Sequence, residues 1–233
     1  MRKEALLCTI AVALLACGTA QAASDGQFYL GASAGQSSYR ALDSKLFFAN
    51  THTDRQDLGY GLRFGYRWSG PVDVAVESGF VDLGRMALQS SYRGGLMVTR
   101  AVTNKMRLDT KAVTLGLAGR YVYVFGNDQA WLVSARGGLL RGYADVDERS
   151  HIDWYHILDN TQGSYASSTS HTDTYTSWYA GIGIGYRFTP QLSLSLTYDS
   201  YRVKARFAAE DLWPALEYRH WVGLSSLYLE YSY

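Results

Sequence analysis

Three of the five histidines of this 233-residue chain lie in one polar stretch that is also rich in carboxylates. His151, Asp153 and His156 lie close together there, with His171 further along. Two histidines and an aspartate suit zinc, which takes nitrogen and oxygen ligands in a tetrahedral set. Spacing this loose in a polar stretch arises readily by chance, so no metal is assigned, and no cofactor. Cys8 and Cys17 are the only cysteines. Both fall in an N-terminal apolar run, which leaves thiol and disulfide chemistry out of the rest of the chain.

Two further groupings are electrostatic. Between Arg85 and Leu108 stand Arg85, Arg93, Arg100, Lys105 and Arg107 without an acid. A later stretch holds Asp145, Asp147, Glu148, Asp153, Asp159 and Asp173 against Arg149. The five cations suit phosphate or sulfate groups, such as those of lipopolysaccharide or a sulfated host polymer. The alternative is a solvated segment whose charges pair with the acidic one. The last grouping is dispersed: Arg63, Arg67, Asp73, Glu77, Arg120, Arg136, Arg187, Asp199 and Glu230 stand singly among glycines and small residues. Charges kept from water persist when paired. Arg63, Glu77, Arg120, Arg136 and Glu230 are therefore expected to form a buried ion-pair network in which the two glutamates bridge the arginines. Such a network is either a plug or a gate that swaps partners.

What places those charges is a period of two. Leu58, Tyr60, Leu62, Phe64, Tyr66 and Trp68 alternate with Gly59, Gly61, Arg63, Gly65 and Arg67. A strand sends successive side chains to opposite faces, so one face is apolar and the other small and charged. The same alternation recurs around Phe28–Gly35, Val72–Glu77, Val113–Tyr121, Trp131–Arg136, Trp178–Phe188, Leu192–Asp199 and Leu227–Tyr233. Eight segments of about ten residues match tilted membrane strands. An even number closes into a ring without unpaired edges. Short turn-forming stretches (Ser69-Gly70-Pro71, Phe125-Gly126-Asn127-Asp128, Thr189-Pro190-Gln191) alternate with long polar ones. The expectation is an all-β, eight-stranded antiparallel transmembrane β-barrel with long outer loops and short periplasmic turns. A soluble sandwich or barrel would turn the same apolar face inward.

Arg2 and Lys3, the apolar run from Leu6 to Cys17, and Ala20-Gln21-Ala22 read as a cleaved leader. That gives a signal peptide over 1–22 and a barrel over 23–233. A lipidated Cys17 after Leu14-Leu15-Ala16 is the competing reading. The formal charge of +1 gives no reason to expect a nucleic acid partner. Tyr at 19 residues, Gly at 23 and Pro at 3 suit strands better than disorder.

Val76-Glu77-Ser78-Gly79-Phe80-Val81-Asp82-Leu83-Gly84 resembles a strand signature of small outer-membrane barrels similar to the OmpA transmembrane domain. Gln27 to Gly35, Gly59 to Tyr66 and Gly181 to Phe188 resemble further strands of that family. Leu227, Leu229, Tyr231 and Tyr233 resemble the terminal-strand signal read by the barrel assembly machinery, with tyrosine where phenylalanine is commoner. The layout resembles the small Ail/OmpX-type barrels more than the OmpA arrangement. The resemblance implies an outer-membrane protein that contacts lipid and lipopolysaccharide, and presents loops for adhesion, surface resistance or contact with host surface molecules. A narrow gated pore or a lipid-modifying enzyme is the alternative. His220-Trp221-Val222 lacks the serine of the His-x-Ser arrangement that lipid A deacylases resemble. The omptin-type proteases need ten strands. No nucleophile, base and orienting group assemble, so an enzyme is not expected.

Overall fold

A computed structural model of the chain describes residues 26–40, 50–95, 98–124, 130–207 and 216–233. The expected leader over 1–22 and the turn at 125–128 lie outside these residues. The strands are β1 (Gly26–Tyr39), β2 (Asn50–Asp54), β3 (Gln56–Trp68), β4 (Asp73–Gly94), β5 (Val98–Val124), β6 (Ala130–His156), β7 (Thr161–Arg187), β8 (Leu192–Phe207) and β9 (Leu216–Ser232). All pairings are antiparallel, and the order β4-β3-β1-β9-β8-β7-β6-β5 returns to β4. The ring is an eight-stranded barrel. β2 continues β3 along the upper part of β4, as Asn50 opposite Ser91 and Tyr60 opposite Asp82 show.

The alternation read from the sequence is the wall of this barrel. Leu62, Phe64, Ile182 and Leu229 point outward with 48 to 65% of their surface exposed, whereas Arg63, Arg67, Glu77 and Glu230 point inward. Aromatic rings collect at both margins of the outward apolar band. At one margin Phe28–Tyr66, Tyr66–Trp68, Trp131–Tyr186 and Tyr231–Tyr233 pack edge to face at 4.9 to 5.7 Å. At the other, Trp178 and Trp221 meet at 4.4 Å. Aromatic girdles of this kind mark the two membrane–water interfaces. Among the described residues no helix is long and apolar enough to cross a membrane.

Beyond the second girdle the polarity reverses. On β5 the outward residues Val113, Leu115 and Leu117 give way to Lys111, Asp109, Arg107 and Lys105, while Ala112, Leu108 and Met106 face inward. On β6, Leu139 and Tyr143 outside give way to Asp145 and Asp147, while Leu140, Ala144 and Val146 are buried inside. Hydrocarbon outside the barrel favours apolar side chains outside; water favours them inside. The barrel is thus inverted across the membrane and conventional above it, on the same continuous strands.

The long outer segments are themselves sheet. β5, β6 and β7 each run for 27 residues. β4–β5 and β6–β7 form hairpins that pair up to Gly94 opposite Arg100 and His156 opposite Thr161, and the β5–β6 seam between them runs up to Val98 opposite His156. β4 changes face on the way through a bulge between Asp82 and Arg85. Gly84 takes φ of 71° there, the left-handed region that glycine enters without strain. The Asp57 carboxylate accepts from Arg85 N at 2.7 Å and Asp82 from Gly84 N at 2.9 Å. Because of the bulge, Val74, Val76 and Phe80 below and Arg85, Gln89 and Arg93 above all point outward.

Candidate functional site

The lumen is filled in two layers. In the lower, polar layer Arg67 makes a two-pronged bond to Glu230 at 2.8 and 2.9 Å. Arg120 joins the same glutamate at 3.0 Å and Asp73 at 2.9 Å. Above them Asp199 holds Arg63 at 2.7 Å and Arg136 at 3.1 Å. Both guanidinium groups also lie 5.3 Å from the centre of the Tyr228 ring, and Arg67 lies 4.2 Å from that of Tyr29. Planar forked cations suit such stacked, two-partner positions better than lysines do.

Of the network expected from sequence, Glu230 and Arg120 meet, and Arg63 and Arg136 share a carboxylate. That carboxylate is Asp199, outside the five residues proposed. Glu77 does not bridge the arginines: it accepts the hydroxyls of Tyr29 at 3.1 Å and Tyr179 at 3.2 Å. The reason is reach. Gly116 opposite Glu77 leaves room for the Tyr179 hydroxyl, which an added side chain there would meet. Asp199 instead sits on β8 beside Gly181, a position whose missing side chain lets the carboxylate lean into the axis. A cavity of about 40 Å³ remains among Arg120, Arg136, Glu77, Glu230 and Ser134. It has room for about two or three waters.

The upper layer is apolar. Tyr39, Leu83, Leu108, Leu140, Val146, Val203, Val222 and Leu224 are almost wholly buried across the lumen. The sequence reading expected glycines and ion pairs throughout the interior and missed this layer. Its signal was present: apolar residues change parity from odd (Leu115, Val113) to even (Leu108, Met106) along β5.

Outside the membrane the five basic residues are dispersed. Arg85 is held by Asp109 at 2.9 Å, a bond that keeps the guanidinium more firmly protonated than usual. Arg93, Lys105 and Arg107 lie on the exposed outer face of the β4–β5 hairpin, and Arg100 on its inner face near the apex. Strand pairing interleaves them with the acidic stretch. Arg107 is opposite Asp147, while Lys105 is directly opposite Arg149. The sequence reading treated Arg149 as a lone base among acids. Among the described residues Arg93, Arg100, Lys105, Arg107 and Arg149 close no ion pair.

The histidines pair singly. His151 meets Asp153 at 3.1 Å, His156 meets Asp159 at 2.7 Å, and His171 lies 3.8 Å from Asp173. No group of three potential metal ligands forms among the described residues. Leu227 and Leu229 lie in the outward apolar band of β9, and Tyr231 and the following Tyr233 stand below them at the lower girdle. Burial, and after it the positive Arg40, hold His220 below its ordinary pKa.

Residues 8–219 match the outer membrane protein beta-barrel domain family. Solved structures with similarity include Ail of Yersinia pestis in complex with the heparin analogue sucrose octasulfate. Identity there is 14%, over 90% of this chain and 99% of that one, with a TM-score of 0.40. Neisserial surface protein A matches at 13% identity, over 88% of this chain and 97% of that one, with a TM-score of 0.41. The N-terminal barrel of Pseudomonas aeruginosa OprF matches at 14% identity, over 90% and 98%, with a TM-score of 0.34. No curated protein matches the chain.

Proposed function

This chain belongs to the outer membrane protein beta-barrel domain family, and from that premise we propose that it is an interaction barrel. A closed scaffold in the outer membrane carries an extramembrane sheet that holds phosphate groups of lipopolysaccharide. The observation supporting this reading is the cationic triad of Lys105, Arg149 and Arg107. Lys105 and Arg149 face each other across β5 and β6, and Arg107 follows on the same outer face. Like charges directly opposite on neighbouring strands repel, and an external anion removes that cost. Lys105 stands eight residues above Val113, roughly 20 Å beyond the hydrocarbon edge along a tilted strand. That height suits the phosphorylated sugars of lipopolysaccharide rather than the lipid headgroups.

Binding of lipopolysaccharide to the purified barrel in detergent, followed against salt, tests this. The triple variant Lys105→Ser, Arg107→Ser, Arg149→Ser is expected to bind about tenfold more weakly and with a shallower salt dependence. Arg85→Ser, whose charge Asp109 already takes, is expected to bind like the parent. Equal binding by the triple variant refutes the reading. Loss of heparin binding with lipopolysaccharide binding intact redirects it to a sulfated polymer.

A further inference from the structure

The apex of the extramembrane sheet carries side chains that a water-exposed turn does not require. Ile157 and Leu158 begin the turn between β6 and β7 and are 51% and 75% exposed, with Tyr155 exposed just before them. Turns at this position ordinarily use Gly, Asn, Asp or Ser. Every polar side chain of the turn is folded back to lock it. Tyr155 donates its hydroxyl to Asn160 Oδ1 at 2.7 Å. Thr161 donates its hydroxyl to Asp159 Oδ1 at 2.8 Å, and His156 Nδ1 lies 2.7 Å from the same oxygen. Asn160 holds φ at 53°. The apolar pair is therefore presented on a rigid mount, which lowers the entropic cost of docking.

Both charge signs flank that pair. On the β4–β5 half of the apex stand Arg93 and Arg100, exposed and closing no ion pair among the described residues. On the β6–β7 half stand Asp153 and Asp159, each with 58% of its side chain exposed. Gly94, Arg100, Trp154 and Gly163 lie in one row across the four strands, so the two halves are level. An object with one cationic and one anionic half matches itself after a half-turn.

We propose that this apex docks against the apex of a second copy of the chain in a facing membrane. The inference rests on the reading above that the sheet stands outside the cell. A two-fold axis perpendicular to the sheet, placed at its end, sets Arg93 and Arg100 of one copy against Asp153 and Asp159 of the other. The same operation lays Ile157 and Leu158 over the partly exposed Val98 and Thr99 hairpin end. Thirteen residues separate Tyr143 at the upper girdle from His156, or roughly 33 Å of height on a tilted strand. The apex therefore clears its own headgroups, which extend only about 5–8 Å beyond the hydrocarbon core. The end of a four-stranded sheet is only about 15 Å wide, so one contact falls well short of the roughly 800 Å² per partner of a stable complex. Holding power comes from many copies facing one another at once.

Two differently coloured cell populations displaying the full chain provide the test, with mixed clumps counted by microscopy. Wild type against wild type is expected to clump. Ile157→Ser with Leu158→Ser on both sides is expected to reduce clumping at least tenfold. Asp153→Arg against itself and Arg93→Asp against itself are each expected to lose clumping, and mixing those two populations is expected to restore it. Failure of that restoration overturns the proposal. So does equal clumping of wild-type cells with cells lacking the protein, or capture of protein-free vesicles of phosphatidylglycerol or phosphatidylcholine. Heat-modifiable gel migration checks that each variant is folded. A Leu158→Cys variant treated with a membrane-impermeant maleimide separates the two readings. No labelling overturns the surface placement; labelling without clumping overturns only the docking.

Discussion

Three arginine substitutions on neighbouring strands test the polarity reversal. Outward positions from Thr176 on β7 to Phe188 just past its end span twelve residue steps, roughly 40 Å of strand and about 30 Å of height at the usual tilt, the thickness of a hydrocarbon core. Ile182, which is 65% exposed, stands at its midpoint. Ile182→Arg is expected to cost about 2–4 kcal/mol, the price of an arginine at a bilayer midplane. Ser170→Arg is also outward but six residues above Thr176, beside Asp147 on β6. Water surrounds it, and the expected cost is about 0–1 kcal/mol. Val146→Arg lies at the same level as Ser170 but faces the interior, where no surface is exposed. An unpaired charge buried there is expected to cost at least about 3 kcal/mol. Reversible urea unfolding of the protein in lipid vesicles, read by tryptophan fluorescence and by gel mobility, measures all three. If Ser170→Arg costs as much as Ile182→Arg, or if Val146→Arg is tolerated, the two-environment account of the strands is wrong.

In the same assay Asp199→Asn leaves Arg63 and Arg136 facing an amide and is expected to cost about 3–5 kcal/mol. Glu77→Gln keeps one acceptor for the Tyr29 and Tyr179 hydroxyls and turns an NH2 donor toward the other, whose hydroxyl can rotate to accept it; its expected cost is smaller, about 1–2 kcal/mol. Gly84→Ala forces a side chain into the left-handed bulge against Leu58 and Asp57, for about 1–3 kcal/mol. The Thr161 hydroxyl, and after it His156, hold the Asp159 carboxyl below its ordinary pKa. A carboxylate depressed in the folded state stabilises above its unfolded pKa and ceases to do so as pH falls through the folded one. Exchange protection of the Thr161 amide is therefore expected at pH 5 and should persist through the ordinary aspartate pKa of about 3.9, being lost only as pH falls below it; protection already lost at pH 5 would contradict the lock. Purified protein in a planar bilayer is expected to show no conductance steps, since the polar and apolar layers both close the lumen. Regular openings would show that the layers part.

Much of the wall was legible because hydrocarbon imposes one rule on every strand. Leu62, Phe64, Ile182 and Leu229 could be assigned to the outside from alternation alone. The upper half obeys the opposite rule, and a single reading of the period could not serve both. Leu108 and Val146 therefore looked like loop residues when they are core. The acids and bases of the interior were identifiable, yet their pairing was not. Whether Glu77 or Asp199 meets the arginines depends on which neighbouring positions are glycine across the sheet, a property of register. The cationic triad was hidden for the same reason. Lys105 and Arg149 are 44 positions apart and become neighbours only when β5 and β6 pair.

The uninterrupted pairing of β5, β6 and β7 also quantises how the outer part can change length. Excising two residues from each of two paired strands shortens a hairpin by roughly 7 Å and returns every remaining side chain to its own face. Excising one residue from each exchanges faces instead, sending Arg107 to the interior and Leu108 to water. Insertions and deletions in this region should accordingly survive in multiples of four per hairpin, with the turn at 157–160 carried up or down unchanged like a fitting on a telescoping mast.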